Sequence, residues 1–322
     1  MDRQLSMHES ASSGEEIMVN SSDVSIAASL TSRLSLQRRT TVKIDIPSST
    51  LSSDLSDKLL GDVLVAALVT FGFSPAIAAI DRAIVEKAAG SHTILESIKH
   101  TMKSMAREPG TYFKSPMFLF MWGVYAATYS TANCLKTITE HRDMQNRSNV
   151  GRTSSSGSIG VFATTTLVNS YASILKDRYY AKTFGTSVGK VPLITYGLWG
   201  VRDCLVVGSA FVLPSRIAKV LHQKTSIDET TALTISQLLC PVAAQFAAGP
   251  VHLLSLDLYN RPLRNLTPKD MLMERLRFQC NNVSSIVGAR IARIAPAYGI
   301  GGVGNTYLRE KWRSFLMTKQ HA

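Results

Sequence analysis

Cysteine is scarce, at four in 322 residues, and Cys134, Cys204, Cys240 and Cys280 stand apart from one another. No disulfide framework or zinc site follows from such spacing. Acidic residues are also few: 23 Asp and Glu face 35 Lys and Arg, a formal net charge of +12. No Ser–His–Asp order, paired catalytic carboxylates or metal cluster is visible, so neither an enzyme nor a bound cofactor is expected. RNA-recognition, helix-turn-helix and zinc-finger patterns are missing too, which removes nucleic acid as an expected partner despite the basic charge. The opening MDRQLSMHESASSGEE is acidic, unlike a secretory signal or an Arg-rich transit peptide. GTSVGK at Gly185 is one residue short of a phosphate loop and lacks Ser or Thr after Lys190.

What the chain does have is apolar length. Apolar residues make up 45% of it, with mean hydropathy +0.08. Residues 1–57 form a Ser/Thr-rich tail with five basic and eight acidic residues, expected to be disordered because so polar a stretch cannot offset its ordering entropy. Within it, Ser25 to Ile46 could form a short basic amphipathic segment. The body, residues 58–315, therefore carries nearly all the positive charge, and anionic lipid headgroups or an anionic solute suit it. Residues 316–322 are a short carboxyl tail.

Six apolar segments divide the body: Leu59 to Ile80, Pro116 to Ile138, Ile159 to Leu175, Val191 to Pro214, Leu233 to Leu258 and Ile286 to Tyr307. The fourth is long enough, as a helix, to cross a hydrocarbon core of about 30 Å. Near its middle lie Arg202 and Asp203, where a lipid-facing charge would be most costly. Successive residues on a helix diverge by about 100°, so each of the two is expected to need its own partner. Asp177, Asp257 and Arg293 are the candidates. An amphipathic helix is expected over Ser91 to Arg107, and a loop over Arg142 to Gly157.

The segments fall into three pairs with shared marks. Pro116, Pro192 and Pro296 open the even segments, and Gly-Val pairs follow at Gly123, Gly200 and Gly302. The odd segments each end near an Asp: Asp81, Asp177 and Asp257. Such weak self-similarity marks membrane folds built from repeats. The expected fold is all-α, a bundle of six transmembrane helices in three pseudo-repeated pairs. Helix bends are expected at Pro75 and Pro250.

The paired helices, YAATYSTAN in the second segment and ARIARIAPAYGIGGVGNTYLREKW in the sixth resemble the mitochondrial carrier family. GPVHLLSLDLYNRP is similar to carrier-like membrane proteins of fungi and other microbial eukaryotes. The resemblance implies a carrier fold, the mitochondrial inner membrane and transport of a small solute. The chain departs from the carrier gate signature: Pro75 is followed by Ile77 and Ile80, Pro250 by His252 and Ser255, and the third segment has no proline.

Arg202, Asp203, His252, Arg290 and Arg293 are the candidates to line a cavity for a small anionic or zwitterionic solute. Asp81, Arg82, Lys176, Asp177, Arg178 and Asp257 are candidates for gating or inter-repeat pairing. A monomer is favoured. The other reading is a non-transporting, carrier-derived protein that organises partners or membranes.

Overall fold

The computed structural model of the chain describes residues 48–147, 155–211, 213–263, 266–294 and 296–320. Among them there are ten α-helices and no strand: α1 (Ser48–Ala89), α2 (Ile94–Arg107), α3 (Pro109–Lys114), α4 (Pro116–Arg147), α5 (Ser155–Phe184), α6 (Leu193–Phe211), α7 (Leu213–Lys224), α8 (Glu229–Asn260), α9 (Pro268–Ala292) and α10 (Gly304–Gln320). A π-helical stretch, Pro296–Val303, joins α9 to α10.

The described residues of the six apolar segments are mostly helical, but only α1 and α8 among the described residues are long and apolar enough to cross a membrane by length and composition. The three-pair arrangement is not reproduced either. α1 packs on α4, but α6 packs chiefly on α8 and only lightly on α5, its expected mate.

Several boundaries also move. α1 begins at Ser48, ahead of the expected boundary at residue 57, and Lys58 pairs there with Asp54 one helical turn back. α10 runs past residue 316 to Gln320. α4 and α5 extend into the expected loop from Arg142, leaving 148–154 outside the described residues. The expected disorder of the tail up to residue 47, and its basic amphipathic segment, also lie outside them.

α1 and α4 run antiparallel. Asp62 meets Thr137 at one end, and the Tyr112 hydroxyl, just before α4, donates to the Pro75 carbonyl 3.3 Å away toward the other. Both bend candidates lie inside continuous helices, Pro75 in α1 and Pro250 in α8. The Pro250 carbonyl accepts from Gln279 Nε2 at 3.4 Å. Beside it, a Cβ on Gly249 would stand 2.6 Å from Val287 Cγ2, so α8 and α9 meet as closely as a glycine permits.

The sixth segment is broken rather than straight. Pro296 has no N–H to continue the ladder, and α9 ends at Ala292 with Arg293 as its C-cap. The path resumes in the π form, where a Cβ on Gly301 would stand 2.7 Å from Tyr129 Oη and 2.8 Å from Phe73 Cε1. The Tyr129 hydroxyl donates to the Ala297 carbonyl at 3.1 Å. π-Helical turns tend to occur at functional sites.

α2 forms close to the expected amphipathic span, but Ser97 and Thr101 are its buried residues while Leu95 stays exposed. A capping box starts it: Thr93 Oγ1 accepts from the Glu96 N–H, and Glu96 accepts from the Thr93 N–H at 2.9 Å. The bond from the Thr93 N–H, helped by one from the Thr93 hydroxyl, holds the Glu96 carboxyl below its ordinary range, so its contribution to α2 is present at neutral pH and is lost as pH falls through that lowered value. Thr93→Ala is expected to weaken α2 by about 1 kcal/mol, read as faster amide exchange in its first turn. Unchanged exchange would mean that packing alone sets this helix start.

Candidate functional site

Asp81 lies 19 residues beyond Asp62 on α1, about 28 Å along a helix rising about 1.5 Å per residue. Its Oδ2 accepts from Lys176 Nζ at 2.5 Å, on α5, and its Oδ1 from Arg293 Nη1 at 2.7 Å. Lys176 also pairs with Asp177 Oδ1 at 2.7 Å. Asp177 Oδ2 accepts from Arg202 Nη1 at 2.6 Å, so α6 joins the same network. Arg202 then turns Nε and Nη2 to its own neighbour, both on Asp203 Oδ1, at 2.9 and 2.6 Å. Asp203, expected to need a partner of its own, takes Arg202 instead: the arginine side chain is long enough to curl back across the divergence of the two residues.

Arg290 and Arg293 divide their roles. Arg293 caps α9 and binds Asp81, whereas Arg290 is fully buried and donates to Gln245 Oε1 and His252 Nδ1, each at 2.9 Å. An arginine can only donate, so Nδ1 of His252 accepts and its ring proton sits on Nε2.

A cavity of about 60 Å³ opens over this network. Asp81, Lys176, Arg202, Asp203, Arg290 and Arg293 form its charged wall, and the uncharged lining includes Tyr125, Asn169, Ser173, Val206 and Val207. Because α4 and α6 run opposite to α1 and α5, these last residues all lie toward the Asp62 end. The network is thus the floor of the cavity on the other side. At this size it is small beside the roughly 300 Å³ and more of ordinary small-molecule sites. A larger hollow of about 240 Å³ lies beneath α2, but Arg82 is the one charge on its wall.

The remaining candidates lie elsewhere. Asp257 binds Arg261 at 2.5 Å and Arg275 at 2.6 Å in a separate cluster, and Arg261 stacks over Phe278. The three odd-segment Asp residues therefore form no single ring. Arg82 pairs with Glu86 at 2.7 Å and lies over the Phe184 ring, while Arg178 is exposed. No group of three or more His, Cys, Asp or Glu among the described residues is placed to hold a metal.

Two sets of residues escaped the sequence reading. Gln245 is one, an uncharged residue that nothing in its spacing marks. The other is a polar cluster at the far end of α1, α4 and α10. Asp62 accepts there from Arg309 Nε at 2.8 Å, from Arg313 at 3.4 Å and from the Thr137 hydroxyl. Asn133 and Asn305 exchange side-chain bonds of 2.8 and 2.9 Å beside it. The signal was present, since an acid inside the apolar run LLGDVLV is as costly in lipid as Asp203.

Neither a curated protein nor a solved structure matches the chain. A family model does, over residues 65–313, and its family is described as a probable citrulline exporter. That finding overturns the resemblance to mitochondrial carriers, which rested on Gly/Ala-rich helix fragments without the gate signature. The mitochondrial inner membrane, expected on the same ground, loses its support. The match spans most of the body, from α1 through α10: the chain belongs to the probable citrulline exporter family.

Proposed function

We propose that this protein is a helical membrane transporter that exports a small solute, citrulline by the description its family carries. The observation that supports it most is the inside-out distribution of polarity. Asp62, Asp81, Lys176, Asp177, Arg202 and Arg290 are buried, while Leu68, Leu167, Leu193 and Phe246 are each at least 65% exposed. In water such a surface would drive aggregation; in lipid it is the favourable arrangement. On this reading α4, α5, α6 and the α9–α10 path cross the bilayer with α1 and α8, their charges turned inward.

A narrow cavity with a polar layer at either end of the bundle suits alternating access. The Asp81 network closes one side, and the Asp62 cluster ties α1, α4 and α10 at the other. The Gly-rich π stretch, packed against Phe73 and Tyr129, lies between them and gives the α9–α10 path a place to bend. The test is efflux of radiolabelled L-citrulline from liposomes holding the full-length protein. Release well above that of protein-free vesicles, with the protein resisting alkaline carbonate extraction from membranes, is expected. Release at the protein-free rate would sink the citrulline reading, and extraction into the soluble fraction would sink the membrane reading.

A further inference from the structure

The buried network over the cavity is incomplete in two places, and they are complementary. Asp81 and Asp177 each use both carboxylate oxygens on cations. Asp203 uses only Oδ1, on Arg202, while its Oδ2 is buried with no partner among the described residues. Among the cations the reverse holds. Lys176, Arg202 and Arg293 each touch a carboxylate. Among the described residues Arg290 binds only the neutral Gln245 and His252, so three carboxylates face four cations there. A buried guanidinium without an anion and a buried carboxylate oxygen without a donor are both costly in a low-dielectric interior. Both groups line the same cavity.

We infer that the cavity binds the head of an α-amino acid, with Arg290 holding its carboxylate and Asp203 Oδ2 its ammonium. A zwitterion satisfies both groups at once and changes the net charge of the site by nothing. A simple anion would answer Arg290 but leave Oδ2 orphaned, and an amine would do the opposite. The head rests against the network, and the side chain points toward Asn169 and Ser173 on α5, which offer polar groups to an uncharged tail. This assignment rests on the exporter reading for its solute but not for its chemistry, because the head is common to all α-amino acids.

The test measures binding to purified full-length protein by calorimetry, using L-citrulline, L-glutamine, 5-ureidopentanoic acid (no ammonium) and N-carbamoylputrescine (no carboxylate). Wild-type protein is expected to bind an intact amino acid about 10- to 100-fold more tightly than either truncated compound, the worth of one charged hydrogen-bonding group. Asp203→Asn keeps an acceptor for Arg202 and should abolish discrimination against the compound without ammonium. Arg290→Gln should abolish discrimination against the compound without carboxylate. Should Arg290→Gln fail to fold, the wild-type comparison and Asp203→Asn still decide. Citrulline efflux with unaltered discrimination in both variants would overturn the head-group assignment and leave the exporter reading standing. Binding of glutamine but not citrulline, lost in the variants, would support the assignment and sink citrulline as the solute. No binding of either amino acid by wild-type protein would overturn the assignment.

Discussion

Asp81→Asn is expected to destabilise the folded protein by several kcal/mol, toward the lower end of the roughly 3–5 kcal/mol found when one partner of a buried ion pair is removed. The carboxylate is 3% exposed and is the acid that Arg293 touches. Lys176 keeps Asp177, so the cost falls mainly on Arg293, whose side chain is a quarter exposed and partly relieved by solvent. Thermal unfolding in detergent reads the loss. The double variant Asp81→Asn/Arg293→Gln should recover part of it, because the stranded cation is gone. Coupling of about 0.5–3 kcal/mol is the expected range for contacting residues. Strict additivity would show that the two side chains do not depend on each other, and the network would then not be the floor described here.

How much of this was legible in the sequence depends on what each residue signals locally. Helix is written in the apolar runs, and α1, α4, α5, α6 and α8 fall where those runs predict. Asp81, Lys176, Asp177, Arg202, Arg290 and Arg293 stand out as charges inside or beside apolar segments; the structure links all but Arg290 in one network and sets Arg290 beside it on the cavity wall. Their grouping was not legible, because it depends on which helices pack. Asp257 looks like the third member of a set with Asp81 and Asp177, yet α8 carries it to Arg275 of α9 instead. Repeat-like spacing records similar local sequence and does not fix the partners. Gln245 was invisible for a simpler reason: an amide on a buried helix face has no period or motif of its own. The break at Pro296 was not expected, because Pro296 reads as a mark shared with Pro116 and Pro192, and the π form that follows packs on Phe73 and Tyr129, residues far away in sequence.

Opening at the Asp62 end is the second large effect expected. Asp62 is 1% exposed, and it is the carboxylate that both Arg309 and Arg313 reach. Asp62→Asn leaves the two guanidiniums, 14% and 26% exposed, with only neutral partners such as the Thr137 hydroxyl, so parting of α10 from α1, which lets them reach water, becomes less costly. A shift of one to two kcal/mol in that local opening changes its population by about 5- to 30-fold. Cys134 reports on it directly. Its thiol is half-buried on α4 beside the Leu59 carbonyl, in the same end of the bundle as Asn133 and Thr137. In a protein keeping only this cysteine, Asp62→Asn should raise the rate of maleimide labelling by about that factor, while Asp62→Glu should largely restore the wild-type rate. Arg309→Gln leaves Arg313 to hold the carboxylate, so its effect should be smaller. If all three variants label like wild type while melting earlier, the cluster is structural packing and the gate at this end lies elsewhere. If labelling of Asp62→Asn rises and added L-citrulline alters it, the far end of α1 and the cavity belong to one conformational equilibrium, as alternating access requires.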